Sequence, residues 1–340
     1  MTAVTVAGIA AAGSAMARDT IQVVGSSTVF PFTTAVAEQF AKKTGNKAPI
    51  VESTGTGGGM KLFCAGVGEK FPDVTNASRP MKKSEYEMCQ KNGVTDIVEV
   101  KVGLDGIVVA QKKSAPTLNL SRAQLYQALA QDTVIAGKVT KNTHQTWSDV
   151  NPGLPGTKIE AYGPPPTSGT RDAFLELAME KGGAKIPVLS KLKSDDKKAF
   201  KGVTHTIRED GAWIDAGEND NAIVQTLTKT PTAIGIFGYS FYEENADKIK
   251  AAKIDGVEPT YDNISSGKYP LSRSLYIYVK KAHVGVIPGM KEFLAEYVSD
   301  AAMSEDGYLA DKGLIALPKA ERTEIAQETL ALEPMQAPTK

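Results

Sequence analysis

Residues 20–31 read TIQVVGSSTVFP, an apolar stretch followed at once by glycine, hydroxyl side chains and proline. Residues 20–24 are typical of a buried strand. Pro31 suits the first turn of a helix, where its missing N–H group costs nothing. Gly25 to Thr28 therefore lie at a strand-to-helix junction. The first amides of a helix have no partner within the helix, and its dipole favours negative charge there, so this junction suits an anion.

Two further junctions of the same kind occur along the chain. Residues 53–59 read STGTGGG after a strand predicted from residue 49, and residues 167–171 read TSGTR after a strand predicted at residues 158–162. One such junction is ordinary helix capping. Three such junctions predict a pocket for a small tetrahedral oxyanion, because the chain has few side chains suited to catalysis.

Predicted strands alternate with predicted helices throughout, which favours an α/β fold with mainly parallel sheets. Phe32, Val36 and Phe40 recur at four-residue spacing and predict a helix that ends at Gly45. Another short helix is predicted at residues 60–65. Ser84 and Glu87 predict a capping box for the next helix.

The composition excludes several classes of protein. Among 340 residues, Lys plus Arg and Asp plus Glu are equal at 39 each, so charge does not favour nucleic-acid binding. An anion would have to be held by local geometry and not by a basic surface. Three His and two Cys argue against a metal site. We expect neither a metal nor a cofactor.

Residues 1–17 carry no charge and end in the small residues Ser14, Ala15 and Ala17 around Met16. They resemble a secretory signal peptide cleaved before Arg18, although the usual basic region is missing and we expect the segment to be truncated. An apolar N-terminal element of the fold is the alternative. Elsewhere no run of about 20 apolar residues occurs, and no cysteine follows the cleavage site as a lipid anchor. We expect an exported, soluble, periplasmic protein.

Cys64 and Cys89 are the only cysteines. Disulfides persist in oxidising compartments, so export predicts that they are bonded to each other. Such a bridge would stabilise the fold by about 3 kcal/mol. Two buried free thiols are the alternative.

Taken together, several segments resemble the phosphate-binding proteins of bacterial ABC-type phosphate uptake, within the periplasmic solute-binding superfamily. The resemblance covers nearly the whole mature chain and rests on residues 25–31, 53–61, 167–172, 232–236 and 269–276. It implies a type II fold of two α/β lobes with mixed, mainly parallel sheets and phosphate in the cleft between them. It also implies a monomer that performs no catalysis and delivers phosphate to the permease and ATPase of an importer.

The resemblance also implies how the chain is divided. We expect it to cross between lobes near residues 104–108 and to return near residues 272–278. Lobe I then comprises residues 18–104 and 273–340, and lobe II comprises residues 105–272. Closure about such crossings is a known binding motion.

The resemblance also implies which residues bind phosphate, at the positions of this chain that match the motifs of the family. From the three junctions we expect Ser27, Thr28, Val29, Thr56, Gly57, Ser168, Gly169 and Thr170.

The chain departs from the family pattern at two positions. Pro164 stands where some members have arginine, and Arg79 stands where some have a carboxylate. We therefore expect Arg79 and Arg171 to supply guanidinium groups. The alternatives are a surface salt bridge for Arg79 and an ordinary charged residue in a first helical turn for Arg171.

Asp105 is the predicted acceptor for the proton that phosphate, unlike sulfate, retains at neutral pH. A turn aspartate before Gly106 is the alternative. The competing functions are binding of another oxyanion, such as sulfate or molybdate, and an exported phosphatase. A serine hydrolase and a nucleotide phosphate loop lack their motifs here.

Overall fold

The computed structural model describes residues 18–166, 168–217 and 220–339. The predicted signal peptide, residues 1–17, and Thr167 of the third junction lie outside the described residues. The strands are β1 (Gln22–Gly25), β2 (Ile50–Ser53), β3 (Val74–Ala77), β4 (Ile97–Lys112), β5 (Asn119–Leu120), β6 (Asp132–Ile135), β7 (Lys138–Lys141), β8 (Ala161–Gly163), β9 (Trp213–Asp215), β10 (Ile234–Gly238), β11 (Ile249–Ala251), β12 (Lys253–Ile254) and β13 (Ser272–Lys280).

The helices lie between these strands and after β13. They are α1 (Phe30–Thr44), α2 (Thr56–Phe63), α3 (Lys83–Lys91), α4 (Arg122–Leu129), α5 (Trp147–Val150), α6 (Gly169–Phe174), α7 (Lys181–Gly183), α8 (Pro187–Asp195), α9 (Lys197–Thr204), α10 (Asp220–Lys229), α11 (Tyr239–Glu244), α12 (Tyr261–Ser265), α13 (Met290–Tyr297), α14 (Asp300–Met303) and α15 (Lys319–Ala331). A π-helix, Leu175–Glu180, joins α6 to α7, and short 3₁₀ helices form at Lys281–His283 and Ala310–Lys312. Within the described ranges, no helix is long and apolar enough to cross a membrane.

The main sheet has the strand order β2-β1-β3-β13-β4-β10-β8-β9, with β11 also pairing β4. The strands β2, β1 and β3 are parallel and form the first sheet half. The strands β10, β8 and β9 are also parallel and form the second sheet half. Antiparallel pairing of β13 and β4 joins the two halves. The predicted mixed α/β fold is confirmed, with its parallel pairing at the two ends of this sheet.

Strand β4 is shared by both halves of the sheet. It pairs with β13 from Ile97 to Gly106 and with β10 from Ile107 onward. Residues 97–112 therefore form one continuous strand. Asp105 lies within it, so the alternative interpretation as a turn residue is wrong.

The first helix follows the predicted pattern. Its apolar face buries Phe32, Val36 and Phe40, and the Phe40 ring meets Phe293 of α13 edge-on at 5.8 Å between centroids. Gly45 ends the helix with φ of 74°, and its amide donates to the Ala41 carbonyl at 2.9 Å. The predicted glycine cap is confirmed, since Gly45 takes the left-handed conformation that closes the last turn.

Helices α2 and α3 begin earlier than expected. The first starts at Thr56 and not near residue 60, so the glycine run forms the first helical turn. An added Cβ at Gly59 would lie 2.5 Å from the Gly25 Cα atom, which shows why glycine is required there. In α3 the N-cap is Lys82, whose amide donates to Glu85 at 2.9 Å, so the capping box expected from Ser84 is wrong.

Candidate functional site

The first junction places Ser27 and Thr28 between β1 and α1. Gly25 has φ of 128°, and an added Cβ would lie 2.2 Å from the Asn76 carbonyl oxygen. Glycine therefore allows β1 to turn sharply beside β3. The Ser26 amide donates to that carbonyl at 3.0 Å, and the Ser26 carbonyl accepts from the Phe30 amide at 3.0 Å, which starts the helix.

The second junction comes to the same place through close packing of glycines. Because Gly59 lies against Gly25, the start of α2 sits beside the end of β1. Thr56, its first residue, has its hydroxyl 3.1 Å from the Ser78 hydroxyl and accepts from the Ser78 amide at 3.1 Å. The amide of Gly57 belongs to the first helical turn, where the helix itself offers no acceptor.

The third junction reaches the site from the second sheet half. Ser168 caps α6 by accepting from the Thr170 amide at 3.2 Å. An added Cβ at Gly169 would lie 3.1 Å from the Thr28 Cα atom, so the start of α6 packs directly on the first junction. The three junctions that the sequence singled out thus meet around Ser27 and Thr28.

Two cavities flank this meeting point, and Ser27 and Thr28 line both. The smaller has a volume of about 170 Å³ and is also lined by Thr56 and Glu176. The larger, of about 380 Å³, is also lined by Asp105 and by the third junction. Both lie between residues of the two sheet halves. The smaller is walled mainly by hydroxyl groups and charged side chains, which include Lys201 and His205, whereas the larger also has apolar walls from residues such as Phe30 and Phe241.

Arg273, on β13, is the functional candidate that sequence reasoning missed. Its guanidinium donates to Thr28 Oγ1 at 2.8 Å, to Asp105 Oδ2 at 3.1 Å and to Glu176 Oε2 at 2.5 Å. Its side chain is 8% exposed. Arg273 lies directly opposite Asp105 in the β13–β4 register. The expected return crossing already included residue 273, but its position opposite Asp105 depends on the strand register, which the sequence does not give.

Asp105 is largely enclosed, and burial raises its pKa above the usual range for aspartate. The Arg273 guanidinium opposes that shift, whereas the nearby Glu176 charge adds to it. A carboxyl group in these surroundings can exchange a proton with a ligand more readily than an exposed aspartate. Its role as acceptor stays a prediction.

The two arginines expected from the sequence have other partners. Arg79 forms a two-pronged pair with Glu85, with N–O distances of 2.8 and 2.7 Å, and this hydrogen-bonded carboxylate raises the pKa of Arg79. Arg171 donates to Asp215 at 3.2 Å and lies 4.4 Å from the centre of the Trp213 ring. Burial lowers the pKa of Arg171. Neither side chain lines either cavity, and their contact with a ligand stays a prediction.

The predicted Cys64–Cys89 disulfide is present. It connects the end of α2, whose first turn lies in the site, to α3, which carries Glu85. Within the described parts of the chain, no group of three or more His, Cys, Asp or Glu could hold a metal ion.

Comparisons with known proteins give matches along most of the chain. The family model described as PBP superfamily domain matches residues 10–301. Protein SphX of Synechococcus elongatus is 34% identical over 315 residues, which cover 89% of this chain and 79% of that protein. The phosphate-binding protein PstS of Staphylococcus saprophyticus is 33% identical over 306 residues, covering 88% and 81%.

Solved structures of phosphate-binding and phosphate-transport proteins also superpose on most of this chain. The crystal structure of a possible phosphate binding protein from Planctomyces limnophilus superposes with a TM-score of 0.74 at 33% identity, covering 92% of this chain and 98% of that one. An ABC-type phosphate transport receptor from Vibrio cholerae superposes with a TM-score of 0.57 at 19% identity, covering 88% and 100%. At that identity the second comparison shows a shared fold alone.

Proposed function

Because this chain belongs to the PBP superfamily, we propose that it captures inorganic phosphate in the periplasm and delivers it to an ABC-type importer. One observation carries the proposal. Three hydroxyl-bearing junctions and the Arg273 guanidinium converge on Ser27 and Thr28, with the Asp105 carboxyl in contact. Donors of this kind suit phosphate oxygens, and the carboxyl can accept the proton that phosphate retains.

The ligands comprise the residues expected from the three junctions, together with Asp105 and Arg273. Helix starts supply amides that are already oriented, and the hydroxyls add donors that can rotate toward the anion. Arg79 and Arg171 would reach the anion only by leaving Glu85 and Asp215. The function is binding and transport without a chemical step.

The two sheet halves act as two lobes. We assign residues 18–104 and 273–340 to one and residues 105–272 to the other. The change of partner along β4, from β13 up to Gly106 to β10 from Ile107, supports a boundary there. Closure about β4 and β13 would bury phosphate, and the closed protein, a monomer, would then dock on the permease and ATPase.

Export requires that residues 1–17 act as a signal peptide removed before Arg18. The surroundings of Arg18 support this proposal. Its backbone nitrogen lies 3.2 Å from Glu69 Oε2, and its guanidinium lies 2.6 Å from Asp73 Oδ1. Cleavage after Ala17 would turn that nitrogen into a charged ammonium group beside a carboxylate.

Calorimetry on the chain from Arg18, stripped of ligand, tests the proposal. Phosphate should bind tightly at one site while sulfate gives no signal. Thr56→Val should weaken phosphate binding by about 1–3 kcal/mol, because the anion loses a half-buried hydroxyl donor. Thr323→Val, at an exposed threonine on α15, is the matched control and should bind like the parent chain.

Other outcomes would point to the competing functions. Binding of sulfate or molybdate in preference to phosphate would make the chain a carrier of another oxyanion. Release of phosphate from a phosphomonoester, without tight binding of free phosphate, would indicate an exported phosphatase.

A further inference from the structure

The three hydrogen-bond partners of Arg273 lie on different parts of the fold. Thr28 belongs to the first junction, and Asp105 lies on the shared strand β4. Glu176 comes from the second sheet half, in the first turn of the π-helix Leu175–Glu180. The contact between Arg273 and Glu176 therefore ties the two sides of the site together.

Glu176 is also the most exposed of these partners. Its side chain is 45% exposed, whereas Asp105 is 15% exposed and Arg273 is 8% exposed. Glu176 lines the smaller cavity, together with Ser27 and Thr56. The Glu176 carboxylate can therefore leave Arg273 and be hydrated by solvent. Asp105 and Arg273 are enclosed and cannot be hydrated in this way.

A second contact of the same kind lies one turn earlier. Asp172 accepts from the Ser27 hydroxyl at 2.5 Å. It precedes Glu176 by four residues in one continuous helical segment, so the two carboxylates face the site from adjacent turns. Both occupy donors that the proposed function assigns to the anion. π-Helical turns are rare and occur often at functional sites.

We propose that Glu176 is an internal competitor of the anion, which takes the Arg273 guanidinium in the free protein and must release it before phosphate binds. This inference rests on the proposed function and adds a residue that sets its affinity. Arg273 carries one positive charge and already contacts two carboxylates. A dianion brought to the same guanidinium would be repelled by Glu176 unless that side chain moved away.

Equilibrium and kinetic measurements on Glu176→Gln test the inference. A neutral amide competes less well for a guanidinium, so phosphate affinity should rise by roughly tenfold. Stopped-flow tryptophan fluorescence should show a faster association rate and an unchanged dissociation rate, since Glu176 does not contact the bound anion. Trp213, beneath Arg171 close to the start of α6, is the natural reporter.

Glu324→Gln is the matched control. Glu324 is exposed on α15 and lines neither cavity. Its replacement should leave both rate constants unchanged. Glu176→Asp, which keeps the charge, should retain more of the competition than glutamine does.

Three results would overturn the inference. Unchanged affinity in Glu176→Gln would show that Glu176 does not compete. Weaker affinity with faster dissociation would make Glu176 a ligand of the bound anion or a support for the closed form. Both of these leave the proposed function standing, because the parent chain still binds phosphate. If the parent chain binds no phosphate, the inference fails together with the proposed function.

Discussion

Replacing Lys280 with methionine should stabilise the protein at neutral pH. Lys280 is 1% exposed, and its ammonium group lies 4.9 and 5.4 Å from the ring centres of Phe63 and Phe71. Among the described residues its Nζ atom has no hydrogen-bond partner. The nearby Asp73 carboxylate already accepts from Arg18 and His283, each at 2.6 Å. The amine is therefore buried without an acceptor of its own.

The pKa of this lysine gives the magnitude. Burial lowers it from 10.5 to about 7, and the Asp73 charge opposes that shift. The cost to the folded state at pH 7 is on the order of 4 kcal/mol relative to an unperturbed lysine. Between these two pKa values the unfolded chain binds a proton that the folded protein does not. The contribution of Lys280 to the free energy of unfolding therefore falls as pH is lowered from 10.5 to about 7, and it is constant below that.

Urea unfolding followed by circular dichroism at several pH values from 6 to 9 measures the effect. Lys280→Met should be more stable than the parent chain by a few kcal/mol at pH 7. Between pH 7 and 9 the advantage should shrink by about 1.4 kcal/mol for each pH unit. Lys291→Met, at an exposed lysine on α13, should change stability little and equally at every pH. A difference between Lys280→Met and the parent that does not vary with pH, or a less stable variant, would refute the reasoning.

Three further outcomes are expected. In calorimetry, Asp105→Asn should weaken phosphate binding by about 1–3 kcal/mol and reduce the difference in affinity between phosphate and sulfate. An unchanged difference would show that Asp105 is not the proton acceptor. Gly59→Ala should destabilise the fold by about 1–3 kcal/mol in urea unfolding, because the new Cβ would lie 2.5 Å from backbone, whereas Gly57→Ala, with nothing within 4 Å, should not. Replacing Cys64 and Cys89 together with serine should lower the free energy of unfolding by about 3 kcal/mol, and reduction of the parent chain should match that loss.

The end of the first helix and the starts of the next two helices were predicted with different success. The end of α1 at Gly45 follows from apolar spacing and from the left-handed conformation that glycine permits. The boundary of α2 was missed because glycine is a poor helix former. Its helical start depends on Gly59 fitting against Gly25, and that close approach arises only when α2 packs on β1.

The amino-acid sequence by itself determined the α/β fold, the three strand-to-helix junctions and the hydroxyl groups they carry, since such junctions are local chemistry. Tertiary structure alone decided which charges surround them. Arg273 meets Asp105 across a separation of 168 residues because β13 and β4 pair in a particular register. Glu176 joins them only because the second sheet half folds against the first. Charge pairs of this kind depend on distances of a few ångströms between residues far apart in the chain, and no local pattern records them.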